Sequence, residues 1–352
     1  MAGATFQTNP IDLHRLLDEC HRGIIQLPDF QRSWVWDEDR IKSLIASISR
    51  AFPVGALMSL DTGGPVNFKP RPVEGAPAEA RQTAPQSLLL DGQQRMTSLY
   101  QVTLRGKVVE TVTPKKKRVK RWFYLDIAKA IDETVDREEA VIGVPEDRVE
   151  RTDFGREVAL DLSNQEKEYA ALMFPVSQVF DWDAWQDGFN DHWSGDEHKA
   201  VREQFRTFKK EVLENFKMYR VPVIALDRST SKEAVCVVFE KVNTGGKPLD
   251  AFELVTAMYA ASGHELRKDW YGDEGVKGRH QRLADTLRPA DSDAGILAGV
   301  GNTDFLQAIS LFFTRDRRRA AEQAGKEGKE LPAVSGNRQA PLDLPLEAYQ
   351  KH

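Results

Sequence analysis

The chain has 352 residues, with 49 Lys+Arg against 54 Asp+Glu and a formal net charge of −5, which argues against a generalised polyanion binder but leaves room for a local basic patch. That length predicts two domains or one large domain with insertions, and 41% apolar with 29% charged residues suits a folded soluble protein. There is no apolar run near the roughly 20 residues of a membrane span, no basic-then-apolar leader at Met1–Phe6, and only Cys20 and Cys236 as thiols, so the expectation is a cytoplasmic protein without disulfides or a membrane partner.

A first helix is predicted from Asn9 as cap and Pro10 at its first position, with Leu13, Leu16, Leu17 and Cys20 at helical spacing and Gly23 as its stop. A short strand, Ile24–Leu27, meets Pro28 and an aromatic-rich loop, Asp29-Phe30-Gln31-Arg32-Ser33-Trp34-Val35-Trp36. Asp37 caps a second helix striped by Ile41, Leu44, Ile45 and Ile48, and Pro53 stops it before the strand Val54–Leu60. Residues 61–87 carry Pro65, Pro70, Pro72, Pro77 and Pro85 and read as an exposed excursion. A short buried strand, Leu88–Leu90, runs into Asp91-Gly92-Gln93-Gln94-Arg95, where a third helix starts with Met96, Leu99 and Tyr100 on one side. A basic turn, Pro114–Arg121, leads to the strand Trp122–Leu125.

Residues 127–220 read as a charged helical insertion with a Trp-rich acidic island at Asp181–Trp185, before another strand, Val221–Leu226. Thr230 and Glu233 form a capping box for a helix striped by Val235, Val238, Phe239 and Val242. Asn243-Thr244-Gly245-Gly246 ends it, and Asp250 with Glu253 caps the next helix. The organisation expected is a core over 1–126, the insertion over 127–220, a return to the core over 221–262, and a helical, basic tail over 263–352 containing Arg315, Arg317, Arg318 and Arg319. Strands and helices alternate without βαβ regularity, so the fold class is α+β with a largely helical second half.

Chemistry concentrates at the strand–Asp91-Gly92-Gln93-Gln94-Arg95–helix junction. The first N–H groups of a helix point outward at its positive end and seat phosphate well. Gly92 allows close approach and Arg95 adds a fork of donors for phosphate oxygens. Asp91 can cap the helix, hold a metal or polarise a water, while Gln93 and Gln94 can orient a water or read a base edge. The competing reading is an ordinary Asp-capped helix with an exposed arginine. The loop around Phe30, Gln31 and Arg32 can build a stacking surface for bases, although Trp34 and Trp36 read better as packing residues. Asn243–Lys247 can close over a phosphate or serve as a plain helix C-cap; it is not a Walker A loop. Lys115, Lys116, Lys117 and Arg118 read as a solvated hairpin tip or a DNA-backbone contact. The seven histidines form no ligand cluster, so no metal site is expected.

Together, Leu27–Arg32 with Trp34 and Trp36, Leu90–Arg95, and Phe239–Leu249 resemble, in this order, the N-terminal domain of GmrSD-type modification-dependent restriction systems. That family includes a phosphorothioate-sensing phage-defence branch, the SspE-like branch. The helix Ile41–Ile48 and the Phe52-Pro53-Val54-Gly55 step match as well, and the resemblance covers about residues 8–260. It implies a small ParB/sulfiredoxin-like core and hydrolysis of GTP or ATP, with Mg²⁺ as a candidate cofactor, coupled to sensing modified phage or plasmid DNA. By this resemblance Asp91, Gln93, Gln94 and Arg95 would be catalytic, and Gly92, Thr97, Asn243, Thr244, Gly245, Gly246 and Lys247 would bind nucleotide. Phe30, Gln31 and Arg32 would touch DNA, with Lys115–Arg118 added on charge. Many relatives continue into an HNH-type nuclease whose His-rich metal site has no counterpart here. The expectation is therefore either an N-terminal piece of a longer protein or a partner nuclease subunit, and a homo-oligomer is left open. A non-catalytic module that recognises modified DNA is the alternative function.

Overall fold

The computed structural model describes residues 6–352 except 32, 33, 35, 114, 233, 236, 239–250, 274, 287–294 and 338. The chain divides into two units, Met1–Leu27 with Gln31–Asp61 and Arg71–Leu226, and Pro28–Phe30 with Thr62–Pro70 and Asp227–His352. The fold is mixed α and β.

In chain order the stretch up to Leu226 contains β1 (Phe6–Asp12), α1 (Leu13–His21), β2 (Ile25–Pro28), α2 (Glu38–Ser49), β3 (Leu57–Asp61), β4 (Pro70–Arg71), β5 (Ser87–Asp91) and α3 (Gln93–Leu99). It continues with β6 (Val109–Val112), β7 (Arg118–Asp126), α4 (Ile127–Ile131), β8 (Val141–Val144), β9 (Val149–Thr152), β10 (Glu157–Asp161) and α5 (Gln165–Ala170). Last come β11 (Met173–Pro175), α6 (Asp183–His192), α7 (Lys199–Phe208), α8 (Glu214–Met218) and β12 (Arg220–Leu226).

One mixed sheet has the order β1-β12-β3-β5-β2-β4. β12 runs antiparallel to β1 and parallel to β3, β3 antiparallel to β5, and β5 parallel to β2. Long β7 anchors a second sheet: its first half pairs with β6, and its second half with β8 and β11.

The second helix follows its sequence signals closely. The Asp37 side chain accepts from Arg40 N, and Ile41, Leu44, Ile45 and Ile48 are buried. α1 buries Leu13, Leu16, Leu17 and Cys20 in the same core, where desolvation pushes the Cys20 thiol up to about 12.

Several elements differ from expectation. Asn9 and Pro10 do not start a helix; they lie in β1, and α1 begins at Leu13, whose N–H reaches Tyr219 O at 2.9 Å. Seven rungs of pairing with β12 outweigh a local cap signal, and Pro10 sits opposite Pro222, so the missing donors coincide. Pairing of β12 with β3 starts one residue later, at Val223.

Residues 127–220 are not simply helical, since β8 to β11 lie within them. The tryptophans of the Trp-rich island enter the core: Trp182 and Trp185 are buried, and Trp185 stacks on Phe189 at 5.2 Å. The 61–87 segment is not wholly exposed either, because Val66, Phe68, Val73 and Ala80 are buried.

The second unit is mainly helical, with helices at Ala251–Ala260, Leu266–Tyr271, Arg279–Asp285, Asn302–Gln323 and Leu346–Lys351 and a two-rung hairpin. Arg315, Arg317, Arg318 and Arg319 lie on the 22-residue helix. Glu233, Phe239, Val242 and Asp250 lie outside the described residues. No helix among the described residues is long and apolar enough to cross a membrane.

Candidate functional site

The Asp91–Arg95 turn is assembled by irregularities in the core sheet. Met58 pairs with Asp91 but Ser59 with Leu89, so Leu90 is an extra residue in β5, a bulge that re-aims the strand just before its end. Bulged carbonyls need donors, and Gln31 supplies them: its Nε2 reaches Leu89 O at 3.1 Å and Leu90 O at 2.8 Å. Two motifs 60 residues apart in sequence therefore meet at one point.

Asp91 ends the strand and does not cap the helix. The cap position belongs to Gly92, at φ +86°, where a Cβ would come within 2.2 Å of Leu57 Cδ2. The first bond of the helix given by this turn is Met96 N–H to Gly92 O at 3.0 Å. α3 then runs without a break into a π-turn, Tyr100–Leu104.

Arg95 is a structural brace. Nη1 donates to Val54 O at 2.6 Å, and Nη2 to Ala56 O at 2.9 Å and to Asp91 Oδ2 at 3.1 Å. The guanidinium is one-fifth exposed and the Asp91 carboxylate about one-third (20% and 35%). The Phe52–Gly55 step is shaped around it. Gly55 has φ +88°, and a Cβ there would lie 2.5 Å from Arg95 Nη1. Tyr219 pins the same step by donating to Phe52 O and accepting from Val54 N–H, and burial raises its phenol above the ordinary range.

The remaining predicted site residues are dispersed. Gln93 is half-buried, whereas Gln94 is buried and its carbonyl accepts from Ser98 Oγ at 2.8 Å. Thr97 is buried at 1% exposure, so it is not presented at the open side of the turn. Phe30 packs edge-on against Phe68 at 5.1 Å within the second unit. Lys115, Lys116, Lys117 and Arg118 are exposed at the β6–β7 hairpin, as expected of a solvated tip. Arg32 and Asn243, Thr244, Gly245, Gly246 and Lys247 lie outside the described residues.

Trp34 and Trp36 pack against the core of the first unit. Trp34 is held by two hydrogen bonds: its backbone N–H donates to Glu74 Oε1 and its Nε1 to Ser98 Oγ on α3, and Glu74 is in turn clamped by Arg71. Glu74, Gln101 and Arg105, which face this loop, carry no motif and were missed from sequence. Among the described residues no group of three or more His, Cys, Asp and Glu is placed to hold a metal.

Residues 13–260 match the N-terminal domain of the GmrSD restriction endonuclease. The chain is also 26% identical over 272 residues to an uncharacterised protein of Methanocaldococcus jannaschii, covering 74% of this chain and 43% of that relative. It therefore spans less than half the length of that curated relative. The matched stretch holds both the bulged Asp91–Arg95 turn and the glutamine that supports it, and the chain belongs to the GmrSD restriction endonuclease N-terminal domain family.

Proposed function

We propose that this chain is a nucleoside triphosphatase, acting on GTP or ATP, and the DNA-modification sensor of an antiphage restriction system. It would be the regulatory, N-terminal part of a cytoplasmic machine whose nuclease lies in a C-terminal segment or a partner, built on a ParB-like core of the phosphorothioate-sensing kind. The observation that carries the reading is the meeting of Gln31 with the strand end that leads into Asp91–Arg95.

The chemistry follows from the turn. N–H groups at the start of α3 would stabilise charge on the terminal phosphate. Gln93 or Gln94 would position the attacking water, and Asp91 would accept its proton or contact Mg²⁺. A single carboxylate plus phosphate oxygens is a donor set that Mg²⁺ accepts, since the ion keeps most of its waters. Arg95 would act mainly by fixing Asp91 and the carbonyls of Val54 and Ala56, contributing its charge from behind.

Phosphate release from GTP and ATP, with and without modified DNA, tests this. Because Arg95 is woven into the backbone, the informative variants are Asp91→Asn and Gln93→Ala. Each should cut turnover at least about tenfold while leaving the thermal midpoint nearly unchanged. A folded protein that binds DNA yet releases no phosphate under any condition would sink the enzyme reading. The second reading, a non-catalytic recognition module for modified DNA, gains from one observation: the Arg95 guanidinium is already committed to protein acceptors.

A further inference from the structure

We propose that the cleft between the Trp34–Trp36 loop and the β6–β7 hairpin is a nucleotide pocket separate from the Asp91–Arg95 turn. The cleft has a volume of about 720 Å³ and is lined by both indoles, Arg105 and Arg118, and also by two carboxylates, Glu74 and Glu110, of which Glu74 is held by Arg71. That volume lies within the range of roughly 300–1,000 Å³ of small-molecule sites.

The lining combines two features that one ligand class shares. Two half-buried tryptophans offer flat apolar surface, which stacks on a base whatever its sequence identity. Two guanidiniums, Arg105 and Arg118, form no ion pair with a carboxylate among the described residues, so their charge is available to an anion. Arg105 is also pre-aimed, because its Nη1 is tied to Gln101 Oε1 one turn back, across the π-turn. Lys120 on the same wall is less available, being paired to Glu146 at 2.9 Å.

The walls are rigid where they need to be. Thr111 Oγ1 fastens the loop by donating to Trp36 O at 2.6 Å, and Asp37 bridges to Val112. Gly75, at φ +90°, leaves space for Arg105, whose Nε would lie 2.9 Å from a Cβ there. An aromatic base with a phosphate attached satisfies indoles and guanidiniums together; a bare phosphate or a bare aromatic ring satisfies one set only. The nucleotide can be free in solution or a nucleotide displaced from a DNA stack, and both carry the same recognition elements.

This goes beyond the hydrolytic reading and holds whether or not the Asp91 turn is catalytic. Calorimetric titration of the whole chain with GMP and AMP tests it, since monophosphates carry no anhydride to hydrolyse. Ribose 5-phosphate serves as the base-free control, and a duplex with one unpaired guanine is compared with its fully paired counterpart. Expected are saturable binding of a monophosphate or of the unpaired-base duplex, and at least about tenfold weaker ribose 5-phosphate binding. Arg118→Ala, at an exposed position, should weaken binding about 5- to 20-fold, and Trp36→Leu should do the same in a variant whose melting confirms folding.

Binding of monophosphates identifies a free nucleotide as the ligand, and binding of only the unpaired-base duplex identifies a displaced one. The proposal is overturned by three results: none of these probes binds, ribose 5-phosphate binds as well as GMP, or affinity survives Arg118→Ala and Trp36→Leu and is lost in Asp91→Asn.

Discussion

Arg95 shows how one side chain can serve a fold and a site at once. Its two terminal nitrogens satisfy two backbone carbonyls and a carboxylate, all partly shielded from water. Alanine would strand these acceptors, and lysine has one compact ammonium where a planar fork is needed. Arg95→Ala should therefore lower unfolding stability by about 2–4 kcal/mol, with Arg95→Lys recovering less than half, as read from urea melts. An alanine variant as stable as the parent would show that the carbonyls of Val54 and Ala56 find water without cost. Loss of turnover in Arg95→Ala alone thus cannot identify a phosphate ligand, whereas loss in Asp91→Asn with stability intact points to chemistry.

At the scale of elements, the site depends on a bulge, and the bulge depends on Gln31. Gln31→Ala removes both donors to the carbonyls of Leu89 and Leu90. It should cost about 1–2 kcal/mol and reduce phosphate release even though Gln31 lies before the turn rather than in it. Full activity with unchanged stability would show that β5 keeps its shape unaided. The elements legible in sequence were those with local causes: the Asp37 cap and apolar stripe of α2, the β6–β7 basic tip, and the β5-to-α3 junction. β1 was misread because its helix-start signal is local while its partner, β12, lies more than 200 residues away. Strands β8 to β11 were hidden for a related reason. They are short and lie among charged segments, and their pairing, β8 and β11 with β7 and β9 with β10, is fixed only in the folded chain. The junction was legible as a motif but its mechanics were not. Nothing in Gln31 announces a bulge in the neighbouring strand β5, and nothing in Arg95 announces the carbonyls of Val54 and Ala56. Arg105 and Gln101 could not be picked out at all, since a cleft wall built from two loops and a π-turn leaves no spacing to read.

Over the whole molecule the charge is −5, which repels DNA at long range. Any DNA affinity must then come from local patches, and the exposed Lys115, Lys116 and Lys117 at one hairpin tip are the densest run in the first unit. Each phosphate neutralised in a duplex releases close to one counterion, giving a slope of about −0.9 in log affinity against log salt. If all three lysines touch the backbone, the triple alanine variant should flatten that slope by about 2 to 3, weakening plain and modified DNA alike. Leaving Arg118 in place keeps the proposed nucleotide pocket intact, so GMP affinity should not follow the slope. The tip is excluded as the DNA contact if both the slope and the preference for modified DNA are unchanged. If preference for modified DNA collapses while the slope stays the same, the tip reads the modification rather than the charge. Sensing would then sit on the β6–β7 hairpin, with the Asp91 turn left to nucleotide.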